Sequence, residues 1–120
     1  MNTRRTGADG EEIAARYLSG KGMRIVQRNF RCRRGEIDII GYHDGYLVFV
    51  EVKYRATAAM GRAEEAVGAA KRRQICRVAD CYRYMHSVSS SVPVRYDVVA
   101  ISGEAVCWYQ NAFEHVYTRG

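Results

Sequence analysis

Between residues 35 and 55 the chain carries two runs of alternating apolar and polar residues, GEIDII and YLVFVEVKYR, on either side of a short polar stretch. A period of two marks half-buried strands, and Asp44-Gly45 suits the two-residue turn of a β-hairpin. With that turn, Asp38 opposes Glu51 and Glu36 opposes Lys53. Side chains alternate across a strand, so Glu36, Asp38, Glu51 and Lys53 share one face, while Ile37, Ile39, Val50 and Val52 share the other. The strands are expected over about 36–42 and 46–54. Their apolar face needs a helix over it, and the long helix that follows is the candidate.

The rest of the chain supplies one element after another. Residues 1–8 hold no apolar anchor and are expected to be flexible. Ile13, Ala14, Tyr17 and Leu18 recur at helical spacing, which predicts a helix capped by Asp9 and running to about residue 19. Residues 23–30 alternate well enough for a strand, and RCRRG then forms a basic turn. Small residues over 56–62 read as a loop able to close over a substrate. Val67, Ala70, Ile75, Val78, Ala79, Tyr82 and Met85 predict a helix over 63–86, with Gly68 favouring a break near its start. After a loop ending at the only proline, residues 95–101 read as a buried strand. Joined to the Glu51 strand through a helix, it should lie parallel to it by a right-handed crossover. Residues 105–109 complete the sheet as an edge strand. The fold class is α/β: one domain over 1–120, with a mixed central sheet of about five strands, an N-terminal helix and a long crossover helix.

Composition adds limits. At 120 residues the chain is long enough for one core and too short for two. No apolar run approaches a membrane span and no apolar segment follows the basic N-terminus, so a soluble, cytoplasmic protein with no membrane partner is expected. The four cysteines, Cys32, Cys76, Cys81 and Cys107, show no zinc-binding spacing and are expected to be reduced, partly buried thiols. His43, in the turn beside the carboxylates, is the one histidine placed near chemistry. Trp108, Tyr109, Phe113 and Tyr117 could serve as a base-stacking platform, as a dimer patch or in ordinary packing.

The formal charge of +6 is unevenly placed. Residues 1–34 hold nine Lys and Arg against three Asp and Glu, whereas residues 35–120 hold ten of each. Arg28, Arg31, Arg33 and Arg34 lead directly into the carboxylate hairpin, as in a surface that brings a phosphate backbone to a metal site; a solvated basic loop is the alternative. Lys71 and Arg72 add candidate phosphate contacts on the long helix.

Like charges directly opposed on a hairpin destabilise it. Two carboxylates at that range form a hard-oxygen site for Mg²⁺ or Mn²⁺, completed by water and substrate phosphate. The alternative is an exposed sheet face with Glu36 and Lys53 as a salt bridge.

Asp38 followed after twelve residues by Glu51-Val52-Lys53 resembles the core motif of the PD-(D/E)xK, or restriction-endonuclease-like, nucleases, without the proline of that motif's name. More closely, the chain resembles the YraN family, small bacterial proteins similar in fold to archaeal Holliday-junction resolvases. The matching pieces are Gly7-x-x-x-Glu11-x-x-Ala14 with Tyr17-Leu18, Arg28-Asn29, GEIDII, VFVEVKYR, Glu65-Ala66-Val67 with Lys71, RYDVVAI and Asn111-Ala112-Phe113.

The resemblance implies a metal-dependent endonuclease acting on DNA, branched or otherwise structured. Asp38, Glu51, the Val52 carbonyl and Glu11 would form the metal shell, Lys53 would act on the attacking water or the transition state, and Glu36 would tune Lys53. A symmetric junction would call for two active sites, hence a homodimer. Two other classes fit the same residues: a catalytically silent nucleic-acid-binding module, and an interaction protein whose acidic hairpin holds a basic partner.

Overall fold

The computed structural model describes residues 7–55 and 67–117. Helix α1 (Gly7–Gly20) is followed by strands β1 (Arg24–Cys32), β2 (Gly35–His43) and β3 (Tyr46–Arg55). Helix α2 (Ala69–Met85), β4 (Val94–Ser102) and β5 (Ala105–Phe113) complete the order. The five strands form one mixed sheet in sequence order, β1-β2-β3-β4-β5. Only β3 and β4 are parallel; the other three pairs are antiparallel.

The hairpin turn is where the dipeptide places it. Asp44 and Gly45 both have positive φ, +52° and +83°, as a two-residue turn matched to strand twist requires. His43 pairs with Tyr46 and Ile39 with Val50, the register the turn dictates. The parallel β3–β4 pairing requires a crossover connection, and α2 lies within it.

Each face of the sheet has its own apolar cluster. Under α1 lie Ala14, Leu18, Met23, Ile39, Val48, Val50, Val99 and Ile101. Under α2 lie Ile40, Leu47, Phe49, Ile75, Val78, Ala79, Tyr82 and Val98, among others. The long helix therefore does not cover the Ile39–Val50 face, as the sequence suggests it should. That face belongs to α1, and α2 lies on the carboxylate side. Ile37 also departs from simple alternation: it packs in the α2 cluster with its cross-strand partner Phe30, whereas Ile39 packs under α1.

Several boundaries differ from the sequence reading. Asp9 lies inside the first turn of α1 and not at its cap, where its charge still favours the helix dipole. Gly68 is the N-cap of α2. The expected helix start at 63–66 and the loop at 56–62 fall outside the described residues. Strand β5 continues to Phe113 instead of stopping at residue 109. Of the expected stripe on α2, Ala70 and Met85 are exposed.

One polar cluster is buried within the sheet. Asp97, 1% exposed, accepts from Arg95 Nε and Nη2 at 2.9 and 2.8 Å, from Trp108 Nε1 at 2.8 Å and from the Asn111 backbone N–H at 2.9 Å. Arg95 also reaches His43 Nδ1 at 3.0 Å and stacks on Tyr46 and Trp108. This gives Asp97 an architectural role: it ties β4 to β5, where the ladder shifts register. It also accounts for His43 and Trp108, which serve this cluster and not the carboxylate site. Phe113 likewise is buried and stacked on Tyr96.

Removing one partner of a buried ion pair strands the other charge, at about 3–5 kcal/mol, whereas replacing both with apolar residues is often neutral. Asp97→Ala should therefore lower the urea midpoint sharply. Arg95→Met with Asp97→Leu should recover much of that loss, measured by equilibrium unfolding of the three proteins. A double variant as unstable as the single one would show that the Trp108 and Asn111 bonds dominate.

Candidate active site

The β2–β3 hairpin is regular from its turn as far as Ile39↔Val50, and there its ladder ends. Strand β3 keeps its parallel pairing with β4 through Arg55↔Ser102, so beyond Val50 the sheet forks. Asp38 sits in the fork, 9% exposed, and its Oδ2 accepts the Val52 N–H at 2.8 Å. A side chain thus takes a donor on the edge of β3 that β2 has left. A strand residue's N–H and C=O leave on the same edge, so the Val52 carbonyl also points towards the fork.

Glu51, 8% exposed, lies beside Asp38, near enough to act on its carboxyl group. Burial pushes the Asp38 carboxyl up from 3.8 to about 7, and Glu51 adds to it. The Val52 N–H opposes the shift. Glu51 also faces α2, where Lys71 Nζ lies 3.3 Å from its Oε2. Lys53, half-buried and two residues beyond Glu51, follows it on the same face of β3.

From the other helix, Glu11 comes within electrostatic reach of Asp38. Its pKa is raised by burial and by the Asp38 charge, against a hydrogen bond from Asn29. Asn29 holds a left-handed backbone, φ +53°, which asparagine tolerates better than most residues. The sequence names Asn29 only within the Arg28-Asn29 match; its positive φ and its place beside Glu11 give it a positioning role. Glu11 itself lies two residues beyond Asp9, just past the first turn of α1.

Glu36 does not pair with Lys53. It lies directly across from Arg31 on β1, and Arg31 Nε binds its Oε2 at 2.8 Å. The β1–β2 pairing wins because it continues beyond the point where β2 and β3 part. Arg28 is likewise tied down, to Glu12 at 2.8 Å. Among the described residues no three His, Cys, Asp or Glu side chains converge as a ready-made metal cluster. The immediate acid set is the pair Asp38 and Glu51, with Glu11 further off.

The basic residues gather along α2. Arg34, Ala70, Lys71, Arg73, Gln74 and Arg77 line a groove of about 500 Å³. It continues into a second of about 860 Å³ that shares Arg34 and Arg77 and adds Arg31, Cys32, Arg33, Asp80, Cys81 and Met85. The β1–β2 turn is held against the helix by Gln74 Nε2, which donates to the Arg34 carbonyl at 3.1 Å. Gly35 permits this approach: its φ is +142°, and a Cβ there would lie 2.6 Å from Gln74. Arg72 is turned away from the groove, bonded to the Val67 carbonyl at 2.8 Å and set over the Phe113 ring. Arg73 and Arg77 become groove residues because α2 lies beside the turn.

The sequence profile of the uncharacterised protein family UPF0102 matches residues 10–101. A UPF0102 protein of Lachnoclostridium phytofermentans is 45% identical over 114 residues, which cover 95% of this chain and 97% of that protein. Another, from Roseiflexus castenholzii, is 46% identical over 104 residues, 85% of this chain and 84% of its own. Among solved structures, a repair endonuclease from Pyrococcus abyssi aligns at a TM-score of 0.49 and 21% identity, over 85% of this chain and 40% of that one. From the profile and these near-full-length relatives, the chain belongs to the UPF0102 family, which is the YraN family of the sequence resemblance.

Proposed function

We propose that this protein is a metal-dependent DNA endonuclease that hydrolyses phosphodiester bonds, with branched or otherwise structured DNA as its substrate class. The observation that carries the reading is the fork: two buried carboxyl groups side by side, at the head of a groove lined by lysine and arginine. Two acids so placed raise one another's affinity for a cation, and the groove favours a polyanion.

The donor set fits Mg²⁺ or Mn²⁺: the Asp38 and Glu51 carboxylates and the Val52 carbonyl are hard oxygens around one space, with Glu11 as a further acid beside Asp38. When bound, such an ion acidifies water and offsets charge on the scissile phosphate. The chain's own residues do the rest. The Val52 N–H fixes the orientation of Asp38. Lys53 orients the attacking water or meets charge developing on the phosphate oxygens. Lys71, at the boundary between the acids and the groove, exchanges Glu51 for a phosphate oxygen. Arg33, Arg34, Arg73 and Arg77 hold the strand, contacts that position without reading sequence. Glu36, bound to Arg31, adds negative charge near Asp38 and does not act through Lys53. A junction with two-fold symmetry needs two such sites, so this substrate goes with a homodimer.

A binding module without turnover is the second reading. What favours it is Lys71, whose ammonium at 3.3 Å already supplies Glu51 with a counter-charge. Incubation of the protein with linear, flap and four-way DNA in Mg²⁺, Mn²⁺ or chelator separates the two. In the nuclease reading wild type cleaves with metal. Asp38→Asn, Glu51→Gln and Lys53→Ala each lose roughly a hundredfold or more, as loss of transition-state stabilisers does elsewhere, while their melts still show a folded protein. Salt-dependent binding with no cleavage in either metal would establish the module instead.

The groove makes a separate prediction. Neutralising Arg33, Arg34 and Arg77 together should weaken binding to every duplex sequence and reduce the slope of log affinity against log salt by about 0.9 for each phosphate left without its arginine. An unchanged slope in a salt titration would place the nucleic acid elsewhere.

Asp38 adds a pH signature. Its folded pKa is raised, so without metal its contribution to stability is greatest below about pH 4 and is lost as pH rises towards 7. Asp38→Asn keeps an acceptor for the Val52 N–H and carries no charge. The melting temperature of the variant minus that of wild type, in chelator, should therefore grow by several degrees between pH 4.5 and 8. Mn²⁺ should raise the wild-type value and have little effect on the variant. A difference that stays flat with pH would mean that Asp38 is not held against Glu51.

A further inference from the structure

The wider part of the basic groove holds two cysteines that the proposed reaction does not use. Cys32 ends β1 and Cys81 lies on α2, 49 residues further along the chain. Both line the same groove, with Arg31, Arg33, Arg34 and Arg77 around them and Met85 at the rim. The two thiols lie near enough for Cys32 to act on the Cys81 thiol. Cys32 Sγ also accepts the Arg34 backbone N–H at 3.4 Å, and Cys81 Sγ lies 3.8 Å from the Met85 sulfur. Neither cysteine is fully buried, in contrast to Cys76, which is sealed in the α2 core. We propose that Cys32 and Cys81 are a redox-active thiol pair that closes to an intramolecular disulfide across the groove when the protein meets hydrogen peroxide.

Cys32 suits the attacking role. A backbone N–H donates to its sulfur, arginines flank it along the turn, and the groove leaves it open to a peroxide. Cys32 and burial raise the Cys81 thiol, so Cys81 is not the first attacker and the second, resolving role falls to it. In the first step the Cys32 thiolate attacks one peroxide oxygen, the O–O bond breaks and water leaves after protonation, giving a sulfenic acid. In the second, the Cys81 sulfur attacks the sulfenic sulfur, the S–O bond breaks, the S–S bond forms and a second water leaves. Two thiols and one peroxide thus give one disulfide and two waters, with two electrons passing from sulfur to oxygen.

Gln74 already clamps the β1–β2 turn to α2, so the two sulfurs belong to segments held in register. The cross-link would fix the turn that presents Arg33 and Arg34, and so bear on any polyanion in the groove. The thiol chemistry itself stands whether or not that ligand is DNA.

The test is stepwise oxidation of the full chain with hydrogen peroxide, followed by intact mass, proteolytic mapping without reductant and thermal melts. The expected product is a monomer lighter by about 2 Da, with the peptides of Cys32 and Cys81 linked. Its melting temperature should be several degrees above the reduced form, because a closed loop restricts the unfolded chain, and dithiothreitol should reverse it. Cys32→Ser and Cys81→Ser should each abolish the linked peptide, while Cys107→Ser should leave it intact. A disulfide through Cys107 or Cys76, a cross-link only between two chains, or Cys32 sulfinic acid without any linked peptide would overturn the proposal. Because mapping is done on wild type, a serine variant that fails to fold does not spare it.

Discussion

The pairing of β3 is the constraint on which the rest depends. Its parallel partner β4 accompanies it to Arg55, whereas its antiparallel partner β2 leaves it after Val50. The turn at Asp44-Gly45 fixes the hairpin register by backbone geometry alone, so the place where the two acids meet is set from six residues away. At that place continued pairing would press buried carboxylates together across the narrow spacing of a sheet. Parting the strands lets Asp38 turn into the plane of the sheet and take the Val52 N–H. The acid pair and the fork are thus one feature: each needs the other.

Once the fork exists, the two helices have distinct duties. Helix α1 seals the Ile39–Val50 side and brings Glu11 towards Asp38. Helix α2, on the opposite side, brings Lys71 to Glu51 and lays arginines along the path that leads away from it. Negative charge is concentrated at a point and positive charge is spread along a line. A protein built only for stability would intermix them. This separation stores electrostatic energy in the folded state, and a bound cation at the point or a polyanion along the line would release it.

Much of this was legible in the residues. Asp44-Gly45 with flanking alternation was enough to fix the hairpin register as far as Ile39 and Val50, one step short of Asp38 and Glu51, because turn chemistry and period act over a few residues. The parallel placement of β4 followed from chain connectivity. What local pattern could not supply was which helix covers which face, and so it could not show that Lys71, read as a phosphate contact, also meets Glu51. Glu36 went to Arg31 because two ladders competed for it, and periodicity does not rank ladders. The role of Asp97 is not legible locally because its partners, Trp108 and Asn111, lie on another strand with a shifted register. Asn29 was missed for a similar reason: its left-handed backbone matters only once Glu11 is overhead.

The two outer strands carry a consequence for assembly. Strand β1 holds a bulge near Val26 and a left-handed residue at Asn29, and presents exposed Arg24, Arg28 and Arg31. Strand β5 holds its own left-handed residue at Asn111, beside the register shift opposite β4. Bulged, twisted and charged margins are how sheets avoid continuing into a neighbour. Two copies aligned edge to edge on β1 would also bring arginine against arginine. Growth of a ten-stranded sheet is therefore the least available route to a dimer of this fold. A pair of these subunits would have to meet through helices, turns or sheet faces, leaving both margins open to solvent.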